Sequence, residues 1–364
     1  MLIGIVGGGQ LGRMLALSGV PLGFRFRVLD PSPAAAASVV AQQIVGDYDD
    51  PAGIARLADG ADVVTYEFEN VPVEAARKLA THVPVYPPPE ALEAAQDRLA
   101  EKMLFERIGI PVHAYTTVDS VGELRAALDH VGLPALVKTR RLGYDGKGQV
   151  IVRRASDAAE AWVAVGGQPS LVETLVDFDR EVSILAVRAC DGETSFYPLV
   201  ENHHRQGILR LSIAPAPDLP PELQAAAEMY AARMLDELDY VGVLAIELFQ
   251  VGAHLLANEM APRVHNSGHW TIEGAETSQF ENHIRAVAGL PMGSTAVRGP
   301  AAMLNIVGRS PQPDEVLAVP GAHLHLYGKP PRPGRKLGHV TARVNDPHEL
   351  TAAVARLRSL PGVG

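Results

Sequence analysis

The first 85 residues alternate short apolar runs with helical patterns, and no other feature constrains the fold as strongly. LIGIVG, LGRMLALSGV, FRFRVLD, ADVVTYEFE and VPVEAARKLA carry a β-α-β-α-β-α succession, the pattern of a parallel sheet with crossover helices. Gly7, Gly9 and Gly12 spell G-x-G-x-x-G at the first strand-to-helix turn, and Asp30 closes the second apolar run. Such a turn aims backbone N–H groups and a helix N-terminus outward, which makes an anion site without a preference for one phosphate over another. By itself it leaves three readings open: an NAD site, a plain structural turn, or a site for another phosphorylated ligand.

The pattern then changes. VPVYPPPEAL carries three consecutive prolines, Pro87 to Pro89, and reads as a stiff junction. One helix is expected from about Glu90 to Ile108, stopped by Gly109 and Pro111. From Val112 to about Gly289, ALVKTR, QVIVRR, SLVETLV, EVSILAV, TSFYPLV, GVLAIELFQ and HLLANEMA predict an antiparallel or mixed sheet. Helices are expected near 121–131, 157–163, 222–238 and 281–288. A smaller unit begins near Pro291, with HLHLYGK and GHVTARV as strands. The class is α/β in its first third and α+β overall.

Charge narrows the ligands. With 32 basic against 42 acidic side chains the formal net charge is −10, which argues against non-specific binding to nucleic acid or anionic membranes. A phosphate-bearing ligand therefore needs a local basic pocket. The single cysteine, Cys190, fits a reducing compartment and reads as a small buried hydrophobe in ILAVRAC. No apolar run approaches the roughly 18 residues of a membrane span, and Leu2 already belongs to the first strand. The expectation is a soluble, cytoplasmic protein without a signal peptide.

Chemistry concentrates in two stretches. ALVKTRRLGYDGKGQVIV places Lys138 on a strand and a glycine-rich turn, Gly143 to Gly148, before the next. Strand–loop–strand suits a flap over a polyphosphate, and it is not a Walker A, which must open a helix. Glu173 to Val176 are expected on one strand with Glu181 opening the next, a crossing able to offer backbone groups to a base edge and a carboxylate to ribose. In GVLAIELFQVGAHLLANEMAPRVHNSGHW, a turn centred on Ala253 sets Glu247 directly across from Glu259 among apolar neighbours. Opposed like charges are destabilising, so the pair implies a hard cation between them, with Asn258 adding an oxygen nearby. Arg263, His265, Asn266, His269 and Trp270 follow within eight residues, a density of functional side chains that favours chemistry over simple connection. His265 and His269 have an i, i+4 spacing, but Asn-Ser-Gly between them breaks a helix and no third zinc ligand is evident.

GGGQLGRM, TYEFENVP, QDRLAEK, GYDGKGQ, APRVHNSGHW and YGKPPRPGRKLGHV occur in this order. Together they resemble the ATP-grasp ligases and, within them, the 5-(carboxyamino)imidazole ribonucleotide synthase family, over essentially the whole chain. The resemblance implies an N-terminal Rossmann-like domain at 1–97, an ATP-grasp domain at 98–290 with a lid at about 112–176, and a C-terminal domain at 291–364 completing the acceptor site. It implies that ATP, bicarbonate and 5-aminoimidazole ribonucleotide give the N-carboxylated product, ADP and phosphate through carboxyphosphate. For assembly it implies a homodimer, with small-molecule substrates and transient hand-off of product to the downstream mutase.

Carried over by motif, Arg98, Lys138, Gly143, Tyr144, Gly146, Gly148, Gln149, Glu173, Val176, Glu181, His204, Asn258 and Glu259 are implied ATP contacts. Glu247 and Glu259 are the implied Mg²⁺ ligands. The resemblance gives catalytic roles to Asp145, Lys147, Arg263 and His265, with Asp145 at the acceptor amine and Arg263 and His265 at the bicarbonate-derived group. Gly9, Gln10, Leu11, Glu67, Asn266, Ser267, Lys329, Arg335 and Lys336 are implied contacts of the ribonucleotide, the last three supplying the basic pocket that a chain of net charge −10 requires. In this reading Asp30 loses the ribose role it would have in an NAD site. Three rivals remain at this stage: a sister ATP-grasp enzyme such as formate-dependent glycinamide ribonucleotide transformylase, an NAD-dependent oxidoreductase, and a non-catalytic nucleotide-binding regulator.

Overall fold

The computed structural model describes residues 1–143 and 148–364. Its N-terminal sheet is parallel and four-stranded, in the order Gln42–Val45, Arg25–Asp30, Leu2–Val6, Val63–Tyr66. All five residues of the Leu2–Val6 strand are buried, as expected for a parallel strand covered on both faces.

A nine-stranded antiparallel sheet forms the body. Its path runs His254–Ala261, Gly242–Val251, Arg180–Arg188, Val200–Arg205, Ile208–Ala214, Ala301–Val307, Lys336–Arg343 and Ala322–Leu326, with Thr194–Phe196 branching from Arg180–Arg188. Pairing of Leu211 with Leu304 and Ala214 with Ala301 runs the sheet without interruption into the C-terminal segment. A second antiparallel sheet orders Tyr115–Val118, Ser170–Thr174, Ala135–Thr139 and Gln149–Val152. Helix Gln279–Val287 joins the first two sheets: buried His283 meets the Thr65 hydroxyl at 2.8 Å and accepts the Val243 amide proton at 3.0 Å.

Four expectations need correction. The single helix over 90–108 is two, Pro89–Gln96 and Arg98–Arg107. Asp97 between them is extended (φ −125°, ψ 113°) and accepts the Leu99 amide proton, so it caps the second helix. Arg140 and Arg141 hold its carboxylate at 2.7 and 3.2 Å, a long-range demand that no local pattern reveals. Strand Ser170–Thr174 stops before Val176, which lies in the connection to Arg180–Arg188. TSFYPLV divides into strand Thr194–Phe196 and the start of Val200–Arg205. Cys190 is exposed and lies just past its strand, not buried within it.

Sequence reading also missed the hairpin Val200–Arg205/Ile208–Ala214, in which histidines and arginines obscure the alternation. Its two-residue turn has positive φ at both Gln206 (54°) and Gly207 (71°), the geometry a tight hairpin prefers. Among the described residues no helix is long and apolar enough to cross a membrane.

Candidate active site

Strand register builds the centre of the site. Glu247 pairs directly with Glu259 across strands Gly242–Val251 and His254–Ala261, and a bulge leaves Asn258 as the extra residue beside the pair. Bulges of this kind re-aim side chains near active sites. Arg98, first residue of its helix, donates to Glu259 Oε2 at 2.9 Å. Lys138 Nζ lies 3.4 Å from Asn258 Oδ1. Glu247 instead faces His265, Nε2 to Oε1 at 3.3 Å.

The two acids consequently titrate apart. Burial and the Glu259 charge push Glu247 up to about 7. Burial would also raise Glu259, but Arg98 and Lys138 outweigh it and hold the carboxyl below its usual range. Two carboxylates and an amide oxygen are hard donors of the kind Mg²⁺ takes together with phosphate oxygens. The crowded charge between Glu247 and Glu259 fits such a cation. Among the described residues there is no group of three or more His, Cys, Asp or Glu side chains that could hold a metal ion.

Around this pair lie Arg98, Lys138, Asn258, Glu181 and His204 of the expected nucleotide contacts. Glu181, second residue of its strand, is bonded to His204 of the neighbouring hairpin. Burial pulls His204 down, yet Glu181 and the Glu247 and Glu259 charges lift it above its ordinary value. Phe178, in the connection that holds Val176, stacks on Phe249 with centroids 4.8 Å apart. Gly148 takes φ +70° before Gln149 opens its strand. Gly143 is the last described residue before this point, and Tyr144, Asp145, Gly146 and Lys147 fall outside the described residues.

Glu173 is placed differently from the others. It is 1% exposed, with Lys138 at 2.6 Å, His113 at 3.2 Å and Lys102 at 3.4 Å. Burial alone would raise its pKa, but Lys138, His113 and Lys102 together hold it well below the carboxylate range. Lys102 is the residue that sequence reading overlooked: buried, it also donates to the main-chain oxygens of Ala257 and Asn258 at 3.2 and 2.9 Å. Glu101 beside it accepts the Met260 amide proton at 2.6 Å. These two side chains satisfy the outer edge of the strand that carries Glu259. The only sequence signal was a pair of charges within QDRLAEK on an otherwise amphipathic helix.

At the other end, the glycine turn already holds carboxylates. Glu67 accepts from the Gly9 and Gly12 amides at 2.9 and 3.3 Å, and Asp30 accepts from Gly8 and Ser32 at 2.8 Å each. Asp30 thus has a structural use. A Cβ on Gly9 would lie 2.7 Å from Glu67 Oε1, so a side chain here would push that carboxylate off the turn. Neither acid engages the first-turn amides of Gln10 and Leu11. Lys329 Nζ donates to Gln10 Oε1, joining the far end of the chain to the turn. Burial lowers the Lys329 pKa, and the charges of Arg335 and Lys336 lower it further against Glu67. Crowded cations of this sort match a dianionic ligand.

Between the two ends, Arg263 pairs with Glu69 and donates to the Val264 carbonyl at 3.0 Å. Burial, with Arg263 and Lys336 nearby, pushes His265 well below its ordinary value, so the ring is neutral. The Asn266 side-chain nitrogen is buried and meets no acceptor among the described residues. Ser267 is fully buried and hydrogen-bonded to protein partners. His269 packs at a tilt against His339, with centroids 4.7 Å apart and the rings at 41°.

Three family models match successive parts of the chain. Residues 1–96 match the ribonucleotide synthetase preATP-grasp domain, 103–280 the ATP-grasp domain, and 301–353 the phosphoribosylaminoimidazole carboxylase C-terminal domain. The chain is 54% identical to N5-carboxyaminoimidazole ribonucleotide synthase of Pseudomonas aeruginosa over 360 residues, 99% of each. It is similar to the crystal structure of the Thermus thermophilus N5-carboxyaminoimidazole ribonucleotide synthetase, with TM-score 0.95, 59% identity, and 99% and 98% of the two chains covered. The Aspergillus clavatus synthase in complex with ADP and 5-aminoimidazole ribonucleotide superposes with TM-score 0.92 at 31% identity, covering 98% and 97%.

Proposed function

The chain belongs to the N5-carboxyaminoimidazole ribonucleotide synthase family of ATP-grasp ligases, and from that premise we propose how its residues divide the work. It is an ATP-dependent carbon–nitrogen ligase that carboxylates 5-aminoimidazole ribonucleotide in purine biosynthesis. One observation carries the assignment of residues: Glu247 stands opposite Glu259, ringed by Arg98, His204 and His265.

ATP lies against Arg98, Lys138, Glu181, His204 and the connection through Val176, with the Gly143–Gln149 turn serving its phosphates. Glu247 and Glu259 would hold Mg²⁺, which would supply positive charge to offset that of the transferring phosphoryl group. A bicarbonate oxygen attacks the γ-phosphorus and ADP leaves, giving carboxyphosphate. Carboxyphosphate then splits into CO₂ and phosphate, and the acceptor amine attacks the CO₂ carbon in a site that excludes water. Asp145 orients that amine and takes its proton as the N–C bond forms. Arg263 offsets negative charge on the bicarbonate-derived group, His265 donates a hydrogen bond to it, and Lys147 assists at the phosphates. Gln10, Leu11, Lys329, Arg335 and Lys336 hold the 5′-phosphate, while Glu67 and Asp30 keep the glycine turn in shape.

Glu173 serves this site as the buried anchor of Lys138 and Lys102. We read the chain as three units, 1–97, 98–290 with a lid at about 112–176, and 291–364, working as a cytoplasmic homodimer that passes a labile product to the next enzyme. Sedimentation at micromolar concentration tests the dimer.

ADP release tests the reaction. It should require Mg²⁺ and rise when 5-aminoimidazole ribonucleotide and bicarbonate are supplied together. Stimulation by glycinamide ribonucleotide with formate instead would contradict the reading. Asp145→Asn should abolish carboxylation and leave ATP binding nearly intact; equal loss of ATP binding would overturn the role given to Asp145.

A further inference from the structure

We propose that a buried hydrogen-bond chain through Ser212, Asn202, Ser183 and Ser267 fixes His265 as the tautomer protonated on Nε2, making its ring a donor at the reacting group and not a base. The functional half of this statement rests on the placement of His265 proposed above. The chain itself rests on hydrogen-bond geometry alone.

The sense of the chain follows from one main-chain group. The Ser267 amide donates to His265 Nδ1 at 3.3 Å, so Nδ1 is an acceptor and carries no proton. The Ser267 hydroxyl, 2.9 Å from the same nitrogen, must therefore donate to it as well. Its proton being engaged, Ser267 Oγ accepts from the Ser183 hydroxyl at 2.8 Å. Ser183 Oγ in turn accepts from Asn202 Nδ2 at 2.9 Å, which leaves Asn202 Oδ1 to accept from the Ser212 hydroxyl at 2.7 Å. Each donor has one direction available once the first is set. The remaining imidazole proton sits on Nε2, which faces Glu247 Oε1 at 3.3 Å.

The surroundings hold these partners in place. Ser183, Ser212 and Ser267 are completely buried and Asn202 is 5% exposed, and buried hydroxyls keep the partners the fold gives them. Register puts the parts in place: Ser183 pairs across from Glu247, and Asn202 across from Ser212. Gln279 clamps the His265 main chain on both sides, accepting its N–H at 2.9 Å and donating to its carbonyl at 2.6 Å. Gly268 leaves room for that clamp, since a Cβ there would come within 2.6 Å of the Gln279 amide.

Ser183, Asn202 and Ser267 are accordingly positioning residues. With Nδ1 engaged and Nε2 already protonated, His265 has no free lone pair, so the proton released at the acceptor amine must go to another group.

Nitrogen-15 histidine spectra of the whole protein test this, with the His265 signals assigned by their loss in His265→Gln. The expected pattern is a bare Nδ1 and a protonated Nε2; a protonated Nδ1 overturns the proposal. Asn202→Asp offers two acceptors where the chain needs a donor. Ser183 then turns its proton to the new carboxylate, Ser267 turns to Ser183, and Nδ1 of His265 gains the proton to donate to the Ser267 hydroxyl oxygen at 2.9 Å, giving up the longer 3.3 Å bond from the Ser267 amide. Expected with this reversal are a changed tautomer and a kcat about tenfold lower, the equivalent of one hydrogen bond, with KM for ATP within about twofold. Ser267→Ala needs no buried charge and keeps the main-chain amide on Nδ1, so the tautomer should hold while the lost hydroxyl contact lowers kcat by a similar factor. A folded Asn202→Asp variant that keeps the wild-type tautomer, or a folded Ser267→Ala variant that loses it, overturns the proposal. A changed tautomer in Asn202→Asp with unchanged kcat leaves the chain standing and overturns the placement of His265 at the reacting group.

Discussion

Glu173 is met by two lysines and a histidine, whereas Glu247, also on a sheet strand beside the nucleotide region, is met by another glutamate. Both are largely withdrawn from water, so the desolvation cost is similar in kind and the difference lies in what surrounds each. Glu173 is compensated within the protein and its pKa is held well below the carboxylate range. Glu247 is compensated only in part, by the charges of His204 and Lys336, so burial and the Glu259 charge push it up to about 7. The first arrangement fastens Lys138 and Lys102 in place. The second stores repulsion that a bound cation relieves, which is how a binding site differs from a structural ion pair.

The largest effect should come from removing the charge of Glu247. Glu247→Gln should lower turnover by roughly a thousandfold, since a bound cation contributes several kcal/mol to the transition state, as measured by ADP release. Glu173→Gln should act on stability instead. Removing one partner of a buried ion pair costs about 3–5 kcal/mol, so the midpoint of thermal unfolding should fall by roughly 10 °C. If the midpoint is unchanged, the Glu173 cluster does not anchor the lysines.

Acidity gives a third contrast, with opposite signs. Glu247 is raised from 4.5 to about 7, so in the unliganded protein its ionisation weakens the fold progressively across that interval. The midpoint of Glu247→Gln should therefore gain on wild type as pH rises from about 4.5 to about 7. Glu173 is depressed from 4.5, so its contribution is complete above that value and is lost as pH falls through the lowered one. Matched pH–midpoint curves that bend the same way would remove the distinction. The smallest effect is expected at Asp97→Ala, which loses a helix cap worth about 1 kcal/mol and frees Arg140 and Arg141, visible as a slightly lower denaturant midpoint.

The same contrast explains what the sequence made legible. The Glu247–Glu259 pairing was expected from strand period and a turn centred on Ala253, but the observed two-residue turn, Gly252–Ala253, would alone set Glu247 opposite Asn258, and the bulge brings Glu259 into register. The parallel N-terminal sheet was legible from its local pattern. Glu173 was readable only as an acid on a strand: its partners His113, Lys138 and Lys102 come from three separate segments, and only tertiary packing assembles them. The break at Asp97 depends on arginines 43 and 44 residues later. Ser183, Asn202 and Ser212 are single polar residues in sheet strands, and nothing short of the final register aligns them into a chain. The glycine turn was legible as an anion site, but not that Glu67 would take two of its amides.

The most direct measurement is the rise in the thermal midpoint on adding Mg²⁺ with ADP, compared between wild type and Glu247→Gln. The account predicts that the unliganded variant is at least as stable as wild type and that the Mg²⁺-dependent rise is lost. A variant that is destabilised without ligand, yet keeps the full Mg²⁺ response, would contradict it.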